Sequence, residues 1–215
     1  MSVVIRLFQP ADRQAVRKIC ADSADMGKPA ERIFPDRELL ADMITAYYTD
    51  FEPQSLWVAE VEGEVVGYLT GCLDSRRCLR VMIWRIAPKI LFQALIRGIF
   101  LKKQVQRFMI AMLKSLKLGG FKRSIPFDKY PAHLHIDIKE GFRAQGLGRG
   151  LMEKFFAQAK NAGIPGIYLT TRKDNLAACS FFEKNGFSLL AQYPLVIPEG
   201  DNFQVIHSAL YVKSL

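Results

Sequence analysis

The chain reads Phe142-Arg-Ala-Gln-Gly-Leu-Gly-Arg-Gly150 at the point that decides its fold. The segment before this stretch, Leu134-His-Ile-Asp-Ile138, alternates apolar and polar residues as a strand does. After it, apolar residues recur at positions 147, 151, 152, 155, 156 and 159, which predicts a helix over 147–162. The order along the chain is therefore strand, glycine-rich turn and helix.

The glycine-rich turn is suited to an anionic ligand. Gly146, Gly148 and Gly150 carry no Cβ, so the backbone can come close to a ligand. The free N–H groups at the start of the helix point toward that ligand, and the helix dipole favours negative charge. Arg143 and Arg149 add positive charge. The stretch predicts a cradle for a phosphate or a pyrophosphate.

Two other phosphate-binding motifs do not fit this turn. A Walker-type loop needs Lys-Ser/Thr after its last glycine, and Arg149-Gly150 stands there instead. A dinucleotide-binding fold needs its glycine fingerprint early in a βαβ unit, with an acid about 20 residues further on. Here the glycines are spaced by two and the turn lies late in the chain.

A second motif follows downstream. Gly166-Ile-Tyr-Leu-Thr-Thr171 predicts a strand, and Asn175-Leu-Ala-Ala-Cys-Ser-Phe-Phe-Glu-Lys184 predicts a short helix that ends before Asn185-Gly186. The chain thus places a strand and a helix directly after the glycine-rich turn and its helix.

With both motifs in place, the chain resembles the GNAT superfamily of acyl-CoA-dependent N-acetyltransferases. That family carries an Arg/Gln-x-x-Gly-x-Gly/Ala loop, matched by Arg143, Gly146 and Gly148. About 30 residues later it has an Asn and then an aromatic-Glu-Lys-x-Gly-Phe run, matched by Asn175 and Phe182-Glu-Lys-Asn-Gly-Phe187. The resemblance is specific over residues 130–190, is looser over 1–74, and does not extend to 75–129.

The resemblance implies an α/β fold, with a mixed, mainly antiparallel central sheet that has helices on both faces. We expect residues 1–215 to form one acetyltransferase-like domain with a helical insertion at about 75–128. The predicted elements are strand 2–7, helices 10–22 and 36–49, a hairpin of strands 55–60 and 64–73, strand 133–139, helix 147–162, strand 166–172, helix 175–185 and strands 187–196 and 203–213. Asp36 is the expected cap of the second helix.

The resemblance also implies that acetyl-CoA enters a gap where the sheet splays between strands 133–139 and 166–172. The acceptor would be an amine of a small molecule or a peptide, which the sequence does not identify. The expected cofactor-binding residues are Ile136, Ile138, Arg143, Gly146, Leu147, Gly148, Arg149, Asn175 and Phe182.

Acetyl transfer to an amine needs a base, because a lysine-type amine with a pKa of about 10.4 is mostly protonated at neutral pH. Asp137 is the first candidate for this catalytic base, since it lies on the strand that should flank the thioester. Glu140 is the second candidate, and His135 shares the strand face of Asp137. A purely structural role for Asp137 is the alternative.

The leaving thiolate benefits from a proton donor, which in the family is often a Tyr at the aromatic position of the second motif. Phe182 stands there and has no proton to give. Another tyrosine (130, 168, 193 or 211) or a water could serve. A non-catalytic module that binds or senses acetyl-CoA therefore remains open beside an active N-acetyltransferase.

The charge of the chain is concentrated in one segment. Of its 30 Lys and Arg, thirteen lie in residues 75–127, which contain no Asp or Glu, while the other residues hold 17 basic and 21 acidic side chains. The same segment is rich in large apolar residues, which predicts two basic amphipathic helices. Three roles stay open: a packed helical subdomain, which we favour because apolar stripes are more often core than interface; a peripheral membrane contact; or, least expected in the absence of a known motif, nucleic-acid binding.

Cysteine and histidine usage predicts no metal site. The cysteines at 20, 72, 78 and 179 have no CxxC or Cys/His ligand spacing, and His133 and His135 are expected to be structural. Free thiols fit a reducing compartment, so we expect a cytoplasmic protein. Met1-Ser-Val-Val-Ile-Arg6 indicates a strand and not a secretory signal.

Overall fold

The computed structural model of the protein describes residues 2–121 and 125–215. Its centre is a seven-stranded sheet with the order β1-β2-β3-β4-β5-β7-β6, in which the β4–β5 pair is parallel and the other neighbouring pairs are antiparallel. The prediction of a mixed, mainly antiparallel sheet is confirmed. The strands are β1 (Val3–Leu7), β2 (Leu56–Val61), β3 (Glu64–Cys72), β4 (Ala132–Ile138), β5 (Gly166–Arg172), β6 (Ser188–Glu199) and β7 (Asn202–Ser214).

In the described part of the chain, seven α-helical segments accompany the sheet: α1 (Arg13–Ser23), α2 (Arg37–Asp50), α3 (Ser75–Val81), α4 (Ala87–Ile96), α5 (Lys103–Lys117), α6 (Leu147–Asn161) and α7 (Leu176–Lys184). The predicted start of α2 is confirmed, because Asp36 Oδ1 accepts a hydrogen bond from the N–H of Leu39 at 2.9 Å. The first helix begins later than predicted, since Pro10–Asp12 forms a 3₁₀ turn. Among the described residues, no helix is long and apolar enough to cross a membrane.

The β2–β3 hairpin turns where the sequence predicted it. Both turn residues have a left-handed backbone, with φ of +53° at Glu62 and +85° at Gly63. Positive φ at both positions matches the twist of the flanking strands, which is the usual solution for a two-residue hairpin.

The helices cover both faces of the sheet, as predicted. On one face, Leu151, Met152 and Phe155 of α6 are fully buried against apolar residues of β3, β4 and β5. On the other face, Val16 and Ile19 of α1 pack with Tyr47 of α2 and with β2 and β3 residues. The two cores lie on opposite faces of the sheet, and only the first includes residues of β4, so the two faces of β4 look onto different surroundings.

The insertion contains one interrupted helix and one regular helix. Helices α3 and α4 are joined through a π-helical turn at Met82–Ile86, with Pro88 in the first turn of α4. A left-handed Gly98 separates α4 from the turn that leads to α5. Residues 122–124, which belong to the predicted insertion, lie outside the described residues.

Candidate functional site

The sheet is split between its two parallel strands. Within the described residues, β4 and β5 pair only at Ala132 with Ile167 and at His133 with Tyr168. Beyond these pairs β4 continues to Ile138 and β5 to Arg172 without pairing to each other. A gap therefore opens between the carboxyl ends of the strands, where the resemblance placed the entry of the cofactor.

Alternate backbone groups of β4 face this gap. The N–H of Lys139 donates to the carbonyl of Val66 at 2.8 Å, so odd-numbered residues at this end of β4 direct their backbone groups toward β3. The N–H and C=O groups of Ile136 and the N–H of Ile138 consequently face the gap, while the Ile138 carbonyl accepts a hydrogen bond from Nε of Arg143. Unpaired strand groups of this kind can bind an extended chain that contains amide groups.

The turn after β4 ends at Gly146, which caps α6 with a φ of +82°. No atom lies within 4 Å of the position that a Cβ would occupy there, so the backbone conformation is the reason for glycine. Leu147 begins α6, and the first N–H groups of a helix have no partner inside it. The predicted anion cradle thus has the expected local geometry.

Gly148 and Gly150 serve internal packing, contrary to the expectation that all three glycines open the backbone to a ligand. A Cβ at Gly148 would lie 2.9 Å from Cζ of Phe181 and 3.3 Å from Cδ1 of Ile138. A Cβ at Gly150 would collide with Cδ1 of Ile5. The missing Cβ atoms let α6 lie close to the sheet and to α7, while the N–H of Gly148 stays in the first turn.

The two arginines of the loop are held differently. Arg143 donates from Nε to the carbonyl of Ile138 at 3.0 Å, and its guanidinium lies against the backbone of Gly27. The exposed Arg149 donates from Nε to Oε1 of Glu153 at 2.9 Å, one turn further along α6. Arg143 therefore ties the loop to the end of β4, and Arg149 carries its charge next to an acid.

Asn175 begins α7 as its N-cap. Its Oδ1 accepts a hydrogen bond from the N–H of Ala178 at 3.2 Å, which satisfies one of the free donors of the helix start. The sequence match at this position thus has a structural role in holding the turn between β5 and α7.

Phe182 lies in the core. It is only 7% exposed, and its ring contacts those of Phe187 and Tyr211 at centroid distances of 6.0 and 6.4 Å. Tyr211 is fully buried and donates to Oε1 of Glu183 at 2.7 Å. Burial and this carboxylate raise the pKa of Tyr211 well above its usual value, which makes it a poor proton donor.

Three polar side chains share the face of β4 that looks toward α1 and α2: His133, His135 and Asp137. Asp137 Oδ2 accepts a hydrogen bond from the hydroxyl of Tyr68 at 2.7 Å and lies 2.9 Å from Nε2 of His135. The Asp137 side chain is 17% exposed and the His135 side chain is 46% exposed. Asp137 is thus held from below by Tyr68, while His135 reaches the surface.

The chemistry of this trio follows from its charges. Burial, and then the adjacent carboxylate of Asp137, raise the pKa of Tyr68 far above its usual value, so its hydroxyl stays protonated and donates. Desolvation lowers the pKa of His135, but the charge and hydrogen bond of Asp137 outweigh it and leave that pKa raised. His135 is therefore a stronger base than an isolated histidine.

A cavity of about 300 Å³ adjoins the point where the β4–β5 ladder ends. It is lined by residues from β4, β5, α2 and the insertion: Met43, Ile44, Tyr48, Cys78, Met82, His133, Leu134, His135, Tyr168, Leu169 and Thr170. His135 belongs to this lining, whereas Asp137 and Glu140 do not. Glu140 is exposed in the turn after β4, and among the described residues it has no side-chain hydrogen bond.

The structure assigns His135 a more prominent position than the sequence did. The alternation of His135 with Leu134 and Ile136 showed only which face of the strand it occupies. A histidine on a strand is most often structural. The contact with Asp137 two residues away was the available signal, because residues i and i+2 of a strand lie side by side.

His133 joins a second group of side chains, which the sequence spacing did not reveal. One ligand-type atom each of Cys72, Cys78 and His133 lies within 4.8 Å of the others. His133 Nε2 is 2.8 Å from the Tyr48 hydroxyl and Nδ1 is 2.6 Å from Oγ of Ser75.

The hydroxyls around His133 determine which of its ring nitrogens donates a hydrogen bond and which accepts one. Ser75 donates its only hydroxyl hydrogen to the carbonyl of Pro131 at 2.6 Å, so Nδ1 of His133 must donate to Ser75, and Nε2 accepts from Tyr48. Both ring nitrogens are engaged. A soft metal ion could use this group only if His133 released one hydroxyl, and the expectation of no metal stays a prediction.

Comparison with known proteins adds independent information. The sequence matches the family model described as the acetyltransferase (GNAT) family over residues 24–187. The crystal structure of SsHAT is similar with a TM-score of 0.71 and 24% identity, covering 100% of this chain and 98% of that one.

Two further solved structures share the fold. The yncA structure from Salmonella typhimurium, solved with its cofactor acetyl-CoA, has a TM-score of 0.62 and 18% identity, and covers 100% of this chain and 95% of that one. Ribosomal-protein-alanine N-acetyltransferase from Brucella melitensis has a TM-score of 0.58 and 16% identity, with 99% of both chains covered. At these identities the likeness concerns the fold.

Proposed function

Since the chain belongs to the acetyltransferase (GNAT) family, we propose that it is an N-acetyltransferase that moves an acetyl group from acetyl-CoA to an amine of a small molecule or a peptide. The observation that carries this proposal is the gap between β4 and β5, which opens beside the Gly146 turn. Acetyl-CoA as the donor is supported by the yncA structure, which shares the fold and contains that cofactor.

In this proposal the pyrophosphate of acetyl-CoA lies at the first turn of α6, at Gly146, Leu147, Gly148 and Arg149. Arg143 adds charge from the other side of the turn. The pantetheine arm follows β4 and forms hydrogen bonds with the backbone groups of Ile136 and with the N–H of Ile138, which face the gap. Asn175 stabilises the start of α7, on the β5 side of the gap, by capping that helix, and the buried Phe182 packs on the same helix in the core.

The acceptor amine would enter the cavity that His135 and Tyr168 line. His135, paired with Asp137, takes a proton from the ammonium group, either directly or through a water. The neutral amine attacks the thioester carbonyl, and the oxyanion is stabilised by backbone N–H groups of β4. The base that the sequence assigned to Asp137 is here the His135–Asp137 pair, and Glu140 remains a weaker candidate because it lies outside the cavity.

Tyr168 is our candidate for the group that donates a proton to the leaving thiolate. It lies at the last pair of the β4–β5 ladder and lines the cavity beside that point. Phe182 and Tyr211 are unsuited to this role, the first by its chemistry and the second by its buried bond to Glu183. Phe182 also supports the second candidate function, a non-catalytic module that binds acetyl-CoA.

One pair of measurements tests the proposal. Calorimetry reports CoA binding, and release of free thiol from acetyl-CoA in the presence of an amine panel reports transfer. We expect both in the native protein, and loss of thiol release with retained CoA binding in His135→Gln. Binding without thiol release from any amine would favour the sensor, and no CoA binding would overturn both functions.

We further propose that residues 1–215 act as one domain in the cytoplasm. The four cysteines are buried and unpaired, which supports a reducing compartment.

A further inference from the structure

The insertion exposes an unusual amount of apolar surface. Of 24 exposed large hydrophobic residues in the described chain, 15 lie between positions 79 and 121. They are Leu79, Ile83, Trp84, Leu91, Phe92, Leu95, Ile96, Leu101, Met109, Ile110, Met112, Leu113, Leu116, Leu118 and Phe121. Single exposed apolar residues are ordinary, but such a concentration in one segment marks an interaction surface.

Each of the two longer insertion helices has a separate inner and outer side. In α5, Val105, Ala111 and Ser115 are buried, while Met112 and Leu116 belong to an exposed row. In α4, Ala94 is buried and a second row at positions 91, 92, 95 and 96 is exposed. The exposed rows have helical spacing, so each forms an apolar stripe along its helix. These stripes take no part in the packing of the core.

The inner side of α5 is firmly attached to the sheet. Oγ of Ser115 accepts a hydrogen bond from the N–H of Val196 in β6 at 2.8 Å. Arg107 donates to the carbonyls of Gly200 and Asn202, at 2.6 and 2.8 Å, in the turn of the β6–β7 hairpin. The outer stripe of α5 is therefore displayed by a fixed helix, and the expectation that the insertion is only a packed subdomain accounts for just one of its sides.

The charges that accompany the apolar stripes are all positive. Residues 75–121 contain eleven Arg and Lys and no acid. Arg76 pairs with Asp128 and Arg97 with Asp36, while Arg107 and Lys114 lie near the ring of Phe203. Within the described residues the remaining cations form no salt bridge within 4 Å, although Lys89 and Lys102 lie near Asp50 and Asp36. They are Arg77, Arg80, Arg85, Lys89, Lys102, Lys103 and Lys117.

We propose that this surface, the exposed side of residues 76–118, binds the face of a membrane that contains anionic lipid. Cations would contact the headgroups, while Trp84 and the leucines, isoleucines and phenylalanines beside it would enter the boundary of the acyl chains. The charge argues against the other occupants. Two copies of this surface would oppose cations to cations, and a nucleic acid would leave the aliphatic side chains in water.

The first test is cosedimentation of the full chain with phosphatidylcholine vesicles, with and without phosphatidylglycerol, at low and high salt. We expect binding to the anionic vesicles at low salt, at least about tenfold weaker binding at high salt, and little binding to neutral vesicles. No binding to anionic vesicles at low salt would overturn the proposal, and so would salt-sensitive binding to RNA or polyglutamate but not to vesicles.

Two pairs of variants separate the apolar and charged contributions. Trp84→Ser with Phe92→Ser should weaken vesicle binding at least about tenfold, because one large apolar side chain contributes about a decade of affinity. Leu176→Ser, at a site that is 74% exposed on α7, is the matched control and should change nothing. Arg85→Glu with Lys89→Glu should abolish binding, whereas Lys154→Glu with Lys160→Glu makes the same charge change on α6 and should not.

The fluorescence of Trp84 reports directly whether the surface enters the membrane. The chain has two tryptophans, and Trp84 is 76% exposed. In a Trp57→Phe variant, Trp84 emission should shift to shorter wavelength when anionic vesicles are added, and brominated lipid should quench it. Cosedimentation with no shift and no quenching would show that the apolar stripes stay in water, which would contradict the proposal.

Discussion

Asp137 and His135 form a residue pair whose properties neither side chain has alone. Tyr68 fixes Asp137 from the buried side, and Asp137 in turn raises the pKa of His135 at the cavity wall. The contact between His135 and Asp137 could be predicted from the sequence, because side chains i and i+2 of a strand are neighbours. Tyr68 was not predictable in this role, since its contact depends on the β3–β4 register across 69 residues.

At the residue scale, Asp137→Asn should change the pH dependence of transfer. The base must be neutral to accept a proton, so kcat/KM should rise as pH rises through the pKa of His135. The Asp137 charge raises this pKa, and its removal should therefore move the rising limb to lower pH. The plateau rate should fall about tenfold, because His135 without Asp137 is a weaker base and loses the hydrogen bond that orients its ring. Rates measured from pH 5 to 9, a range that brackets the ordinary histidine pKa of about 6.5, provide the check.

His135→Gln is the control for this experiment, because it should remove the limb that Asp137→Asn only displaces. A limb that stays at the same pH in Asp137→Asn would mean that the titrating group is not coupled to Asp137. The assignment of the base would then pass to another side chain.

At the scale of elements, the site depends on how two helices begin. The start of α6 at Gly146 follows the carboxyl end of β4 and that of α7 at Asn175 follows the carboxyl end of β5, and both starts were predictable from turn and cap residues. The packing role of Gly148 could not be predicted from the sequence, because it depends on how closely Phe181 of α7 approaches α6. Glu at Gly148 would disturb packing before it affected a ligand, so this position does not test the cradle.

Gly146→Glu should abolish CoA binding as measured by calorimetry, by placing a negative charge where the pyrophosphate is expected. Gly163→Glu is the matched control, since Gly163 also has positive φ (+69°) and open space, at the other end of α6. Both variants should lose about 1–2 kcal/mol of unfolding free energy from the left-handed backbone. Equal CoA affinities in the two would disprove the cradle.

Asn175→Ala should lower the free energy of unfolding by about 1 kcal/mol, because the N–H of Ala178 loses its acceptor. We expect CoA affinity to fall by about 1–2 kcal/mol as the turn loosens. Asn175→Ser can still cap the helix and should restore both quantities, as followed by denaturant unfolding and calorimetry. Native stability with weakened CoA binding in Asn175→Ser would instead indicate direct contact of the amide with the ligand.

At the scale of the whole molecule, the sheet consists of two parts, β1–β4 and β5–β7, joined by a two-pair parallel ladder. The order and type of the elements were predictable because their periodicities are strong and the turns carry glycine or a cap. The outer surface of the insertion was not, since an amphipathic pattern does not say which of two apolar stripes meets the core. The Cys72, Cys78 and His133 group joins β3, α3 and β4, and no local pattern reveals such a meeting.

A ligand that fills the gap should stabilise the entire fold. CoA at about 100 times its dissociation constant should add about 2.7 kcal/mol to the unfolding free energy, which corresponds to a rise in Tm of about 5–10 °C for a chain of this size. A thermal scan with and without CoA measures this. Gly146→Glu should show no rise, and a rise of equal size in that variant would place the ligand elsewhere.

The alternation of backbone direction along β4 has a consequence for amide hydrogen exchange with solvent. The N–H groups of His135 and Asp137 face β3 and lie inside a continuous ladder, whereas those of Ile136 and Ile138 face the gap. Neighbouring amides of one strand should therefore exchange at very different rates, slow and fast in turn. An occupant that binds along β4 would make the fast amides slow, so the exchange pattern of a few residues would record where the molecule holds its ligand.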